Sequence, residues 1–125
     1  MKGNITQYGQ PCPIRDVLNQ IGGQWSLLIL EALSGRTVRF NVLNREIEGI
    51  SRQMLTRTLR RLEEDGYIDR KVFAEVPPRV EYSLTELGDS FMVPLQLLIQ
   101  WADEHHSSIC RARRLYHELQ RGQFN

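Results

Sequence analysis

The stretch of sequence that decides the fold is SRQMLTRTLRRLEEDG, residues 51–66. Leucines spaced by four and then three residues make a single apolar stripe of a helix: Leu55, Leu59 and Leu62. At about 100° per residue, the opposite side carries polar side chains: Gln53, Arg57 and Arg60, with Thr56 at the edge. Ser51 is a favourable N-cap residue, and Gly66 ends the segment. The sequence therefore predicts an amphipathic helix over residues 52–65 with an outward basic face.

Upstream of this helix, the pattern predicts a series of short helices. Residues 14–21 and 25–33 have helical apolar spacing, and glycines end both segments. Residues 37–40 are short and extended. Asn41 is expected to cap a third helix that runs to about residue 48, and Gly49 with Ile50 makes a tight turn into the helix of residues 52–65.

Downstream, residues 67–76 and 80–84 are predicted to be two strands of a β-hairpin, with Pro77, Pro78 and Arg79 at its tip. Thr85 is expected to cap a long helix. Between residues 91 and 102 only Gln96 and Gln100 are polar, apart from Pro94, which should kink or divide the helix. A helix apolar nearly all round needs burial on several sides, so a second copy of the chain is expected to cover it. A separate polar helix is predicted over residues 108–119.

The charge of the chain is a cancellation between segments. The 125 residues carry a formal net charge of +1, with 14 Arg and 2 Lys among the 16 basic residues. Residues 36–61 hold seven Arg and two acids (+5), residues 80–106 hold five acids and no base (−5), and residues 107–125 hold four Arg and one acid (+3). A basic block beside an acidic one suggests one face for a polyanion, although a mixed-charge surface is the alternative.

The order of elements predicts an α+β fold, mostly α: a winged helix-turn-helix with a two-stranded β-hairpin wing and flanking dimerisation helices. The helix of residues 52–65 is expected to enter the major groove of DNA, where Arg binds guanine or phosphate and Gln pairs with adenine. Its N-terminus favours a phosphate. The candidate DNA-binding residues are Arg39, Asn41, Ser51, Arg52, Gln53, Thr56, Arg57, Arg60 and Arg79. For any single arginine, a solvated charge balanced by Glu63, Glu64 and Asp65 is the competing interpretation.

From Cys12 onward the chain resembles the HxlR-type winged helix-turn-helix transcriptional regulators. The matching runs are CP (12–13), IGGQW (21–25), LLIL (27–30), RFN (39–41), GIS (49–51), MLT (54–56), LRRLEEDG (59–66) and VPPRVEYSLTELG (76–88). The resemblance covers roughly residues 12–105. It implies a homodimer that binds a two-fold symmetric operator as a regulator, with a repressor as the expected type. It also implies a dimer contact made by the N-terminal helix and the long helix after Thr85.

The expected organisation is a flexible N-terminal arm (residues 1–11), the HxlR-type domain including its dimer helices (12–106), and a polar C-terminal helix and tail (107–125). The sequence contains no signal peptide and no run of roughly 18 apolar residues, so a cytoplasmic protein is expected. No cofactor and no metal are expected. The operator sequence, the regulated genes and the inducer do not follow from the sequence.

Cys12 is the candidate redox-sensing residue. It lies just before Pro13 at a predicted helix N-terminus, and Arg15 adds a positive charge within one turn, an environment that favours a thiolate. Some HxlR-like regulators sense electrophiles or oxidants at this place, which implies a thiol switch through an intersubunit disulfide. The alternative is a small buried residue that packs in the dimer contact.

The other titratable residues give weaker signals. Cys110 and His106 are spaced i, i+4 with His105 adjacent, which is compatible with two metal ligands on one helix face, but a solvated polar helix is the preferred interpretation. An enzyme is not expected, because every histidine lies at or after position 105 and no Gly-rich phosphate loop is present. The remaining alternative is a winged-helix protein–protein interaction module without direct DNA binding. Its outward helix would carry acids or apolar residues, which the helix of residues 52–65 lacks.

Overall fold

The computed structural model describes residues 12–123 of the chain, so the predicted N-terminal arm of residues 1–11 lies outside the described residues. The chain divides between Met92 and Val93 into two compact units. The elements are α1 (Pro13–Ile21), α2 (Gln24–Ala32), β1 (Val38–Arg39), α3 (Phe40–Glu46), α4 (Arg52–Glu64), β2 (Ile68–Phe73), β3 (Arg79–Leu84) and α5 (Glu86–Gln123).

Helix α4 begins and ends as its sequence predicts. The Ser51 side-chain oxygen accepts a 3.0 Å hydrogen bond from the backbone N–H of Met54, which satisfies one of the free donors at the helix N-terminus. The chain leaves the helix through Gly66 at φ +85°, a backbone conformation that disfavours residues with a Cβ. The leucine stripe is fully buried, with no more than 1% of any side chain exposed: Leu55, Leu59 and Leu62.

The core of the first unit lies between α2, α3, α4 and the sheet. Its fully buried side chains include Ile29, Leu30, Leu43 and Ile68 together with the leucine stripe of α4. Burial of a large aliphatic side chain contributes about 1.5–3 kcal/mol, so this cluster holds α3 and α4 in a fixed relationship. The packing leaves the opposite, basic side of α4 at the surface.

The sheet has three antiparallel strands in the order β1–β3–β2. The predicted hairpin forms from β2 and β3, with Phe73 opposite Arg79 and Ile68 opposite Leu84. The short extended segment before α3 pairs with the hairpin as well, because Val38 and Arg39 lie opposite Tyr82 and Glu81. The predicted fold class, a mostly α winged helix-turn-helix, is confirmed, and β1 anchors the wing beside the start of α3.

Three local predictions are corrected. Asn41 does not cap α3: the helix starts at Phe40, and Arg39 is its N-cap residue with extended backbone angles of φ −77° and ψ 155°. The first hairpin strand is shorter than predicted, and the second begins one residue earlier, so Arg79 is the first residue of β3 rather than part of the tip. The two predicted C-terminal helices are one helix, α5, which continues through Pro94 without division.

The second unit, from Val93 onward, consists of the remainder of α5. Large apolar side chains of this helix stay about half exposed or more in the single chain: Val93, Leu97, Leu98, Trp101, Leu115, Tyr116 and Leu119. Within residues 12–123, no helix is long and apolar enough to cross a membrane. The exposed apolar side chains of α5 therefore form a surface that the single chain leaves exposed to solvent.

Candidate nucleic-acid interface

The outward face of α4 carries the side chains that the sequence predicts. Gln53, Arg57 and Arg60 are exposed. Thr56 is half-buried, and its hydroxyl donates a 2.9 Å hydrogen bond to the carbonyl oxygen of Arg52. The same side chains line a shallow depression together with Arg61 and Glu64. A helix face of this width fits a major groove, and its guanidinium and amide groups match the donor and acceptor pattern of base edges.

The arginines of this face are free of internal carboxylates. Among residues 12–123, no acidic group lies within ion-pair distance of Arg57 or Arg60. Glu63, one of the acids that would balance them, instead lies 3.5 Å from Nε of Arg70 on β2. The two guanidinium groups are therefore available to an external anion. By contrast, Arg36 in the same basic block forms an ion pair with Glu46, so part of that block is locally neutralised.

The start of α4 is joined to the start of α3 by side-chain contacts. Nη1 of Arg52 donates a 2.9 Å hydrogen bond to Oδ1 of Asn41, and the Arg52 guanidinium lies 4.8 Å from the centre of the Phe40 ring. The sequence singled out Arg52 and Asn41 separately but did not predict their contact or the role of Phe40. The α3–α4 turn is fastened by Asn44, whose side-chain N–H donates to the carbonyl oxygen of Ile50 at 3.3 Å.

A cleft of about 430 Å³ separates this helix junction from the wing. Arg39, Asn41 and Arg52 line one wall, and residues 75–80 line the other. The structure thus brings four of the predicted DNA-binding residues, including Arg79, around a single cleft, while Gln53, Thr56, Arg57 and Arg60 lie along α4. Guanidinium groups at the mouth of a cleft attract phosphate oxygens through charge-assisted hydrogen bonds.

Arg79 is held by acidic neighbours that sequence reasoning missed. Its Nη1 lies 2.8 Å from Glu75 Oε2, and its Nε lies 3.1 Å from Glu81 Oε2. The Nε contact is ionic only, since Nε is buried and has no partner with hydrogen-bond geometry. The guanidinium also stacks 4.0 Å from the centre of the Phe73 ring, and a quarter of the side chain is exposed. Its charge is therefore partly neutralised. The sequence feature that could have predicted these ion pairs is the position of Glu75 and Glu81, four residues before and two residues after Arg79.

The C-terminal end of α4 carries a carboxyl group in an unfavourable place. Asp65 is the C-cap residue, where the negative end of the helix dipole disfavours an anion. Partial burial raises the pKa of the Asp65 carboxyl above its ordinary 3.8, and the negative charges of Glu64 and Asp16 act in the same direction. Arg61 opposes the shift. This end of α4 is thus less stable when Asp65 is ionised.

The two cysteines are free thiols at different places. Cys12 is half-buried at the N-cap of α1, with Pro13 as the first helical residue, as the sequence predicts. Its backbone oxygen accepts a 3.0 Å hydrogen bond from the N–H of Asp16, and its sulfur makes no capping hydrogen bond. Cys110 is half-buried on α5, with its sulfur 3.5 Å from Nε2 of His106. Over residues 12–123, no three His, Cys, Asp or Glu side chains are grouped as metal ligands.

Residues 20–109 match the family model for the HxlR-like helix-turn-helix. An uncharacterized HTH-type transcriptional regulator of Methanothermobacter thermautotrophicus is 47% identical over 96 residues, which cover 77% of this chain and 73% of that protein. Among solved structures, the regulator YtfH from Salmonella typhimurium superposes with a TM-score of 0.76 at 36% identity, covering 89% of this chain and 99% of that one.

A second similar structure is the redox regulator HypR. Its oxidized form has a TM-score of 0.69 at 38% identity and covers 74% of this chain and 96% of that one. Its reduced form has a TM-score of 0.74 at 35% identity, with coverage of 78% and 97%. The family match, the sequence identity and the common winged-helix fold lead to the same assignment. This chain belongs to the HxlR-like helix-turn-helix family of transcriptional regulators.

Proposed function

We propose that the protein is a sequence-specific DNA-binding regulator that acts in the cytoplasm as a homodimer on a two-fold symmetric operator. The observation that carries the proposal is the outward face of α4, where Arg57 and Arg60 are exposed and have no ion pair among residues 12–123. Arg57, Arg60 and Gln53 would enter the major groove, and the cleft beside Arg39 and Arg52 would hold the DNA backbone.

The dimer is supported by apolar surface on two elements of the chain. Helix α1 exposes Ile14 and Leu18, at 62% and 58%. Helix α5 exposes Leu97 and Leu98, at 62% and 54%. Contiguous apolar side chains at the surface of a small domain mark an interaction site. A two-fold dimer presents two α4 helices, and half-sites about 34–36 Å apart fit such a pair.

The test of DNA binding is a gel-shift titration on the DNA upstream of the gene that encodes the protein, over a series of salt concentrations. We expect Arg57→Ala to lose about tenfold or more in affinity and to show a shallower dependence on salt. Arg114→Ala is the matched control, because Arg114 is an exposed arginine of α5 outside the proposed interface. Unchanged binding by Arg57→Ala, or equal loss in both variants, contradicts the assignment of α4.

We further propose that Cys12 is a thiol switch and that the regulator is a repressor. Its position at the N-cap of α1 and the similarity to HypR, which is described as a redox regulator, support the switch. Oxidation by diamide would join the Cys12 sulfur to a cysteine sulfur of the second copy, and the diamide would take up two electrons and two protons. The covalent link would change the dimer and release the operator.

The test of the switch compares Cys12→Ser with Cys110→Ser in diamide-treated gel shifts. We expect Cys12→Ser to stay on DNA after diamide and the untreated variants to bind as the parent does. Full diamide-induced release of Cys12→Ser would rule the switch out.

The test of the repressor role is the transcription of the regulated gene. Loss of the gene that encodes the protein should raise transcription from the bound promoter, and a fall would indicate an activator.

A further inference from the structure

The second unit carries a regular stripe along α5 that is apolar at five of its seven positions, with His105 and Ser108 as the polar ones. Side chains spaced alternately by three and four residues lie on one side of the helix: Leu98, Trp101, His105, Ser108, Ala112, Leu115 and Leu119. Leu98, Trp101 and Leu119 are 54%, 51% and 69% exposed in the single chain. This spacing is the seam of a two-stranded coiled coil, in which each seam residue packs against a facing helix.

The stripe continues past the part of the chain that defines the family. The family match ends at residue 109, whereas α5 and its stripe run on to Leu119. A polar helix of this length gains most of its stability from packing rather than from propensity, so the stripe requires a partner. The small side chains of Ser108 and Ala112 near its centre let a facing helix approach closely.

The charges along the helix specify which partner fits. Residues 93–107 hold Asp103 and Glu104 and no Lys or Arg, a balance of −2. Residues 108–123 hold four Arg and Glu118, a balance of +3. A second copy laid antiparallel sets the acidic half of each helix against the basic half of the other, while a parallel copy sets like charges side by side.

Glu104 and Arg111 make the orientation specific. They lie seven residues apart at the same edge of the stripe, and neither has an ion-pair partner among residues 12–123. A rise of about 10 Å separates them along the helix, too far for a pair within one chain. When Leu98 faces Leu115 of the partner subunit in an antiparallel pair, Glu104 comes beside Arg111 of the partner subunit, and symmetry repeats the contact.

We propose that residues 93–123 of α5 pair antiparallel with the same segment of a second copy, with Leu98 facing Leu115 and Glu104 paired with Arg111 across the seam. The inference rests on the homodimer of the proposed function and adds its orientation and register. In this arrangement the C-terminal third of α5 is part of the dimer contact rather than a solvated tail helix.

The experiment is disulfide cross-linking of the full chain in a Cys12→Ser, Cys110→Ser background. Leu98→Cys and Leu115→Cys are introduced singly and together, and copper phenanthroline supplies the oxidant. In the antiparallel pair two copies of residue 98 lie about 25 Å apart. We therefore expect a covalent dimer on a non-reducing gel only from the chain that carries both cysteines.

The possible outcomes separate this inference from the proposed function. Efficient cross-linking by either single-cysteine variant indicates a parallel pair and overturns only the proposed orientation. If the protein is a dimer but the double variant does not cross-link, the proposed orientation is likewise overturned. A monomer in sedimentation analysis of the parent overturns both the pairing and the dimer. Absence of operator binding by the uncross-linked parent, together with the expected cross-links in the double variant, overturns only the DNA-binding proposal.

A charge exchange gives an independent measurement. Glu104→Arg or Arg111→Glu places like charges together at two symmetric contacts, and we expect each to weaken the dimer about 3- to 30-fold. The double variant restores the opposite-charge contact and should recover most of the loss. Arg114→Glu makes the same change of charge on the side of α5 away from the stripe and is the control. Equal effects of Arg111→Glu and Arg114→Glu, or no recovery in the double variant, overturn the contact.

Discussion

Nη1 of Arg52 lies 2.9 Å from Oδ1 of Asn41, and this hydrogen bond ties the first residue of α4 to the first turn of α3. The guanidinium also rests 4.8 Å from the centre of the Phe40 ring. A long exposed side chain normally loses rotamer entropy when it binds a ligand. Because Asn41 and Phe40 already hold Arg52, its donors face the cleft before any DNA arrives.

Asn41→Ala should therefore weaken operator binding through Arg52. We expect about a 3- to 10-fold rise in Kd, or about 0.7–1.4 kcal/mol, because Arg52 loses the hydrogen bond that orients it. Fluorescence anisotropy on the operator measures the change. In an Arg52→Ala background the Asn41→Ala change should have little further effect, since the two act as one unit. Additive losses would show that Asn41 contacts DNA on its own.

Glu75→Gln should strengthen DNA binding. The Glu75 carboxylate lies 2.8 Å from Nη1 of Arg79 and faces the same cleft, so it competes with phosphate for that guanidinium and repels the backbone. We expect about a 3- to 10-fold tighter complex at low salt, with a steeper dependence on salt. Glu31→Gln removes the same charge from an exposed site on α2 and serves as the control. Weaker binding by Glu75→Gln would mean that the ion pair is needed to orient Arg79.

The sequence alone predicts the helix-turn-helix well because its determinants are local. The Ser51 cap, the leucine stripe and Gly66 each act within one helix, and α4 forms as predicted between them. The error at Asn41 also has a local reason. Phe40 already has helical backbone, so Asn41 falls inside the first turn of α3. Its side chain accepts a hydrogen bond from Arg52 instead of capping the helix.

The environment of Arg79 and the continuity of α5 were harder to predict. The contacts of Arg79 with Glu75 and Phe73 depend on the register of β3 against β2 and on the path of the loop, which no local pattern determines. Pro94 predicts a kink or a division of the long helix, and the polar residues 108–119 predict a separate helix. The helix continues because residues 95–121 contain no glycine or proline, and most of these residue types have a helix propensity compatible with a helix interior.

Gly88→Ala should destabilise the domain. A Cβ at this position would lie 2.2 Å from the backbone oxygen of Tyr67 and 3.2 Å from Cδ2 of Leu84. The backbone oxygen is held by the N–H of Thr85 at 3.0 Å, so it has little freedom to move away. We expect a loss of about 1–3 kcal/mol in the free energy of unfolding, measured by urea denaturation. Gly122→Ala is the control, because nothing lies within 4 Å of its added Cβ. Equal stability of the two variants would contradict the close approach of α5 to residue 67.

Asp65→Asn should stabilise the protein at neutral pH. Burial first, and then Glu64 and Asp16, raise the pKa of Asp65 in the folded state above its ordinary 3.8. The folded state therefore binds this proton more tightly than the unfolded chain. The resulting stability is fully present below pH 3.8 and is lost as pH rises through the folded pKa. At pH 7 the ionised carboxylate opposes the dipole of α4, so its removal should raise the free energy of unfolding by about 0.3–1 kcal/mol.

Thermal unfolding of the parent and Asp65→Asn across pH 3.5 to 7, each at low and high salt, measures the effect. The gain in Tm should be largest at pH 7 in low salt, about 1–4 °C. It should shrink in high salt, because the charge at the helix end is screened. It should also shrink toward pH 3.5, just below the ordinary pKa of 3.8, where Asp65 of the parent is mostly protonated in both states. A gain that stays constant with pH would assign the effect to the capping preference of asparagine, and a loss at pH 7 would show that the carboxylate makes a favourable contact with Arg61.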